Sequence, residues 1–171
     1  KGKARDEAVI SLEKGYEFRV CEKEDSKEMA KLYREVFRTY PFPIFDHMYI
    51  EQTMDENVRY YGIWQKNKLV ALSSSEMDET GQNTEMTDFA THPEHRGKSL
   101  SQFLLSCMES DMVKAGIKTA YTIARAKVAG INAVFGKSGY RYAGTLVKNT
   151  GIDGAIESMN IWYKTLDRHR E

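Results

Sequence analysis

Cysteine, proline and net charge are all scarce in this chain, and each scarcity narrows what the protein can be. Two cysteines occur in 171 residues. Cys21 and Cys107 stand far apart with neither metal-ligand nor redox spacing, which argues against a zinc site or a CxxC redox centre. Both lie in apolar or helical pattern and are expected to be reduced packing thiols of a cytoplasmic protein. Basic and acidic side chains number 25 each, for a formal net charge of +0. No basic field exists to hold a phosphate backbone or an anionic lipid surface, so neither nucleic acid nor membrane is an expected partner. No apolar run approaches the roughly 20 residues of a membrane helix, and none resembles a signal peptide. The first residue is Lys1 rather than Met. Residues 1–15 are therefore expected to be a linker or the remnant of an N-terminal region, and residues 16–171 the domain.

What is present suffices for one folded domain, since hydrophobic residues make up 41% against 29% charged. "YEFRV" alternates as a short strand. Met29, Leu32, Tyr33, Val36 and Phe37 then fall on one face of a helix. Two of the three prolines, Pro41 and Pro43, break it in "YPFPIFD". A weaker helix follows over residues 47–54. "VRYYGIW" and "LVALSSSEM" flank the turn "QKNK" as a hairpin, and residues 84–91, "TEMTDFAT", read as the next strand. Apolar positions 100, 103, 104, 107, 108, 112 and 115 form a long helical stripe that Gly116 closes. Residues 119–125 are strand-like and residues 130–139 a short helix; "YRYAGTL" and "IESMNIWYK" are strands. The order β, α, α, β, β, β, α, β, α, β, β predicts an α/β fold: a mixed sheet flanked by helices.

The stretch "HPEHRGKSLSQFLL" contains Gly97-Lys98-Ser99, the closing half of a P-loop. His92 stands where the first P-loop glycine belongs and Pro93 follows it, so the tight turn around a β-phosphate is missing and a triphosphate site is rejected. A strand, a turn and a helix start still aim free amides at the positive end of a helix dipole, which suits a phosphate. The competing reading is a plain capping box, Ser99 to Gln102.

The rest of the chain bears on that choice. The strand "TEMTDFAT", the turn "HPEHRGKSLS" and the following helix resemble the acetyl-CoA motif of GCN5-related N-acetyltransferases. "INAVFGKSGYRYAG" resembles the superfamily's later helix and strand. "EMTDFATHPEHRGKSL", "KTAYTIARA", "GYRYAGTLVKNTGI", "ESMNIWYKTL" and the early "YPFPIFD" are similar to the β-lysine N-acetyltransferase family, over residues 16–166. The resemblance implies a GNAT fold with a central, mostly antiparallel sheet, and acetyl-CoA as cosubstrate without a metal. It implies acetylation of the distal (N6) amine of L-β-lysine to give a compatible solute. The superfamily pattern Arg/Gln-x-x-Gly-x-Gly/Ala reads Arg96-Gly97-Lys98-Ser99-Leu100-Ser101 here, with both later glycines replaced by serine. A non-glycine residue held at positive φ costs about 1 kcal/mol. The amides of residues 97–101, with Arg96 and Lys98, are expected to hold the pyrophosphate, and backbone at Phe89, Ala90 and Thr91 to position the thioester.

Acetyl transfer needs a neutral amine, and an alkyl ammonium has a pKa near 10.4, so a carboxylate must take or relay its proton. The resemblance puts Glu85 at the position of the superfamily's base; the alternative is a surface charge. Asp88, on the opposite face by strand alternation, is expected to be a buried, hydrogen-bonded acid that holds the loop or touches substrate. The superfamily's usual acid, a tyrosine, corresponds to Phe135, which can only contact the cofactor; Tyr140 reads as core and Tyr142 is the remaining phenol nearby. Asn132 matches a cofactor-contacting position or is a helix cap. For a substrate carboxylate, Arg125 at a strand end offers a bidentate contact, or is a surface arginine. Asn149 and Asn160 are candidate substrate contacts, and Glu157 is a second carboxylate for the amine or half of an ion pair. His92 and His95 lack further metal ligands. Cys107 on the core stripe argues against an acetyl-enzyme and for direct attack in a ternary complex. A polyamine, lysine or protein N-terminus as acceptor, a non-catalytic acyl-CoA module and a homodimer stay open.

Overall fold

A computed structural model of the chain describes residues 10–166. The expected tail at residues 169–171 and most of the expected linker lie outside the described residues. Ahead of the first strand, Leu12 packs against the core and Glu13 reaches Lys98.

The elements run in the predicted order: β1 (Tyr16–Val20), α1 (Ser26–Val36), α2 (His47–Glu56), β2 (Val58–Gln65), β3 (Lys68–Asp78), β4 (Asn83–Thr91), α3 (Leu100–Lys114), β5 (Thr119–Arg125), α4 (Ala129–Lys137), β6 (Arg141–Ile152) and β7 (Ala155–Thr165). The strands form one seven-stranded sheet in the order β1-β2-β3-β4-β5-β7-β6. Every neighbouring pair is antiparallel except β4 with β5. None of the described helices is long and apolar enough to cross a membrane.

Local chemistry explains the boundaries. Of the expected four-residue turn "QKNK", only Lys66 and Asn67 turn, at φ 48° and 60°, while Gln65 pairs with Lys68. Positive φ at both central residues matches the right-handed twist of the strands it joins. The same device, Asp153 and Gly154 at φ 52° and 80°, joins β6 to β7. Those two strands are longer than predicted and absorb "KNTGI", because a solvent-facing edge strand needs no apolar alternation. Gly116, at φ 83°, ends α3, and the Ile117 amide donates back to the Met112 carbonyl.

The sheet has a core on each face. Met86, Leu104, Leu105, Met108, Met112 and Phe135 pack under α3 and α4. Met29, Tyr33, Ile50, Tyr60, Leu72 and Ile152 pack under α1 and α2. The α3 stripe is rotated from the predicted one: Leu105 is buried, whereas Cys107 is only half-buried and Ala115 is exposed. Both cysteines are free thiols.

Leu104 is fully buried at the centre of the α3 interface. Its replacement by alanine removes buried methyls and leaves a cavity, so Leu104→Ala should lower the unfolding free energy by about 2–4 kcal/mol. Urea titration should show an earlier midpoint at unchanged slope.

Candidate active site

Two departures from regular strand geometry in β4 open the site. Leu72 pairs with Ala90 and Ser74 with Thr87, so Asp88 and Phe89 together oppose Ser73. This is a β-bulge of the kind whose first residue is usually glycine in the left-handed region; here Asp88 occupies it at φ 54°. Aspartate tolerates that region better than most side chains. Meanwhile β4 pairs with β5 only from Asn83↔Thr119 to Glu85↔Tyr121, although both strands run on. Beyond Glu85 the strands diverge, and the edge of β4 that faces β5 has no ladder partner. The wedge between them is a cleft of about 750 Å³ that reaches Asp88, Thr91, Gly97, Ser101, Arg125 and Tyr40.

One end of the cleft is the turn into α3. After the short 3-10 turn Pro93–His95, Gly97 adopts φ 78° and Ser99 φ 58°. The capping-box expectation fails: Ser99 is left-handed and makes no side-chain cap bond, because a helix cap needs extended backbone to aim its oxygen at the first turn. The amides that open α3 therefore have no intrahelical partner and no side-chain cap. His95, Arg96 and Lys137 stand on the cleft wall at this end, whereas Lys98 turns away to Glu13 at 3.4 Å. His92 and His95 bond within the loop and to Tyr16, and no metal-binding group of His, Cys, Asp or Glu exists among the described residues.

The other end is acidic. The bulge overturns the expected alternation and brings Asp88 to the same face as Glu85. Ser74, whose strand partner is Thr87, donates to Asp88 Oδ2 at 2.6 Å, and the Tyr40 hydroxyl donates to Oδ1 at 2.5 Å. Glu76 lies directly opposite Glu85. Burial first, then the charges of Glu76 and Asp88, push the Glu85 carboxyl up to about 7. Burial also raises Asp88, against the hydrogen bonds that favour its ionised form, and burial with the Asp88 charge raises Glu76.

Several other expected site residues are committed elsewhere. Glu157 is no free carboxylate: Arg125 grips it through two bonds of 2.8 Å and Lys127 through one of 2.7 Å. The Arg125 hydrogen bonds, ahead of those from Lys127, hold the Glu157 carboxyl down at about 2, which disqualifies it as a base near neutral pH. Arg125 lines the cleft with its guanidinium engaged by Glu157 and, at 3.4 Å, by Asp153. Asn132 is neither a cap nor open to a ligand. Its amide donates to the carbonyls of Arg125 and Val128 and accepts from Asn160 and Trp162, which exhausts its capacity. Asn160 is thereby also internal, accepting in turn from Thr145, and Asn149 is exposed beside Thr150. Phe135 is fully buried, edge-on to Phe89 at 5.6 Å and to Tyr140 at 4.8 Å. Tyr140 is core, its phenol raised by burial and Glu109, and Tyr142 is an exposed partner of Thr145.

Sequence reasoning missed Tyr40, Ser74, Glu76 and Asp153. Glu76 was within reach: counting back from the Asp78↔Asn83 pair that closes the turn puts it opposite Glu85. Asp153 was not, because its place depends on a long-range clasp. Its amide donates to the Thr39 carbonyl, its carboxylate accepts from the Arg38 amide, and the Gly154 amide donates to Thr39 Oγ1. This ties the β6–β7 turn to the loop after α1, across the front of the cleft.

Removing the Glu157 charge should destabilise the fold by about 2–3 kcal/mol at neutral pH, the size of a charge-assisted hydrogen-bond loss. Because the folded pKa lies below the unfolded one, the contribution is complete above the ordinary value of 4.5 and fades as pH falls toward about 2. The difference in thermal midpoint between wild type and Glu157→Gln should therefore close over that acidic range.

Residues 27–140 match the model of the family described as "Acetyltransferase (GNAT) family". The chain is 44% identical over 153 residues to the β-lysine N(6)-acetyltransferase of Methanococcus maripaludis, covering 90% of this chain and 56% of that protein. It is 39% identical over 155 residues to the enzyme of the same name from Methanosarcina mazei, covering 91% and 57%. The N-acetyltransferase YodP of Bacillus subtilis is 41% identical over 151 residues, 88% of this chain and 55% of that one. The chain thus spans little more than half the length of the curated relatives it matches. Among solved structures, the ribosomal-protein-S18-alanine N-acetyltransferase of Escherichia coli superposes with a TM-score of 0.76 at 15% identity, covering 91% of this chain and 97% of that one. The spermidine N-acetyltransferase of Vibrio cholerae in complex with CoA and spermine does so with a TM-score of 0.73 at 16% identity, covering 90% and 97%. At those identities the likeness concerns the fold.

Proposed function

Because the chain belongs to the acetyltransferase (GNAT) family, we propose that it transfers the acetyl group of acetyl-CoA to the distal amine of L-β-lysine, yielding a compatible solute. The observation that carries this is the wedge itself, which joins an uncapped helix start to an acidic face. An anionic, amide-rich cofactor and a cationic acceptor can meet across it. The names of two relatives support β-lysine as the acceptor.

In this reading the pyrophosphate lies on the amides of residues 97–101, with Arg96 beside it. The amide groups of the pantetheine arm take up the unpaired edge of β4 along Phe89, Ala90 and Thr91, as an added strand would. That alignment presents the thioester carbonyl beside the bulge. The acceptor ammonium is drawn to Asp88, which Tyr40 and Ser74 hold in place. Glu85, poised close to neutrality, takes the proton. The free amine attacks the thioester carbon, the C–S bond breaks and the thiolate leaves. A thiolate is a modest base, so its proton comes from the amine nitrogen through solvent, and Phe135 is no handicap. Cys107 does not line the cleft, which agrees with direct attack rather than an acetyl-enzyme.

The decisive assay is thiol release from acetyl-CoA with β-lysine against a control without amine, with the acetylated nitrogen located by NMR. Absence of amine-dependent release would leave only a CoA-binding module. Glu85→Gln should lower kcat/KM by about 10²–10³-fold. The base must be ionised to act, so wild-type kcat/KM should climb as pH rises through about 7, the value to which Glu85 is pushed, and Glu85→Gln should lose that limb.

Ser99→Glu places a carboxylate where the pyrophosphate lies in this reading. Calorimetry should show acetyl-CoA affinity reduced by at least ten-fold, about 1.4 kcal/mol.

A further inference from the structure

Three carboxylates share one face of the β3–β4 hairpin and differ in their access to water. Asp88 is on the cleft wall, Glu85 is half-buried, and Glu76 is exposed. Glu76 and Glu85 are direct cross-strand partners, a position where Cβ atoms stand about 5 Å apart and like charges repel. Such a pair is relieved when the two carboxylates hold one proton between them. No ion pair among the described residues involves any of the three. The titratable groups on which these carboxylates act are phenolic: Tyr49 from α2, Tyr60 from β2, Tyr121 from β5, and Tyr40 from the loop after α1; Glu56 from α2 acts on Tyr49 and Asp78 from β3 on Tyr121 beside them. Beside Asp88, the buried Tyr33 hydroxyl has no hydrogen-bond partner, and among charges Asp88 acts on it most strongly. The acidic face thus begins at the cleft, with unused hydrogen-bonding capacity, and ends in solvent.

We propose that Glu76 is the exit for the proton that acetyl transfer releases: Glu85 takes it from the substrate ammonium and passes it to Glu76, which delivers it to bulk water. The proposal rests on the reading of Glu85 as the base. One N–H bond of the ammonium breaks as an O–H bond forms on Glu85. That proton then moves to the Glu76 carboxylate, directly or through one water, and from there to a solvent base. Glu85 is returned ionised for the next turnover. The second proton lost by the nitrogen goes to the leaving thiolate, so each acetyl transferred sends one proton out through Glu76. Glu76 touches neither substrate nor cofactor; it acts through Glu85.

The test compares Glu76→Gln, Glu76→Asp and Glu85→Gln at saturating acetyl-CoA and β-lysine, in dilute and in concentrated imidazole. Glu76→Gln should lose roughly ten-fold in kcat in dilute buffer, less than loss of the base itself, and regain it in concentrated imidazole, where a diffusible base takes over the exit. Glu76→Asp should recover most of the loss without imidazole, and wild type should not respond to buffer concentration. A merely structural role for Glu76 would not be rescued by buffer. The proposal is overturned if Glu76→Gln turns over like wild type in dilute buffer, or if its loss persists in concentrated imidazole. If Glu85→Gln keeps full activity, the base assignment fails. If Glu85→Gln is crippled while Glu76→Gln is not, the base stands and the exit falls.

Discussion

Parallel strands that stay in register leave no space between them, because their ladder spacing is under 5 Å. The site of this protein depends on breaking that rule once. Pairing between β4 and β5 stops at Glu85 and Tyr121, and within three residues the bulge at Asp88 bends β4 further from its neighbour. The bulge also reverses the alternation of β4. Met86 belongs to the core under α3, whereas Ala90, which would share its face in a regular strand, belongs to the core under α1. A single inserted residue thereby opens the wedge, turns Asp88 toward the acids, and keeps both ends of β4 packed.

That arrangement carries strain, and the surroundings hold it. Asp88 and Ser99 both occupy left-handed backbone without being glycine, each at about 1 kcal/mol. At Asp88, two hydroxyl donors converge on the carboxylate. At Ser99, the Phe103 amide bonds the Ser99 carbonyl and starts the helix in spite of the missing cap. Elements from both halves of the sheet meet at the front, where the Asp153 turn is fastened to Thr39 and Ile152 is buried under α1. The wedge is thus open in its middle and tied at its mouth.

The fold was legible in the sequence because its elements announce themselves locally: 3.6-residue stripes in α1 and α3, period-two strands, and turn residues between them. The position of the turn into α3, fixed by one continuous segment, was legible too. The ligand contacts expected of Glu157, Asn132, Asn160 and Phe135 find no support in their surroundings, for one common reason. A polar or aromatic side chain in a promising motif position is functional only if the fold leaves it free, and each of these is consumed by a partner 25 or more residues away or by the core. Asp88 was placed on the wrong face because strand periodicity cannot foresee a bulge, whose position depends on the partner strand.

Formal neutrality conceals a separation of charge that the fold uses. Most acids of the half-buried shell are neutralised in place: Asp25 by Arg19, Asp111 by Arg59, Glu109 by Lys164, Glu157 by Arg125 and Lys127. These pairs contribute little field beyond their own neighbourhood. Along the cleft and the face that continues from it, two groups have no ion pair among the described residues. Arg96 and Lys137 stand with the dipole of α3 on the cleft wall at one end, and at the other Asp88 is on the cleft wall with Glu85 and Glu76 following it along the β3–β4 hairpin. An isolated cluster of three carboxylates would be destabilising on its own, and burial compounds the cost by raising their proton affinity. The cost falls when a cation arrives or when a proton is shared, so in the proposed reaction the same repulsion that weakens this face favours an ammonium beside it and the uptake of its proton. In the proposed reaction the acidic end therefore does not need a strong base in the ordinary sense. Weak ones held close enough to raise one another's proton affinity suffice, and the register of a single hairpin sets Glu76 against Glu85.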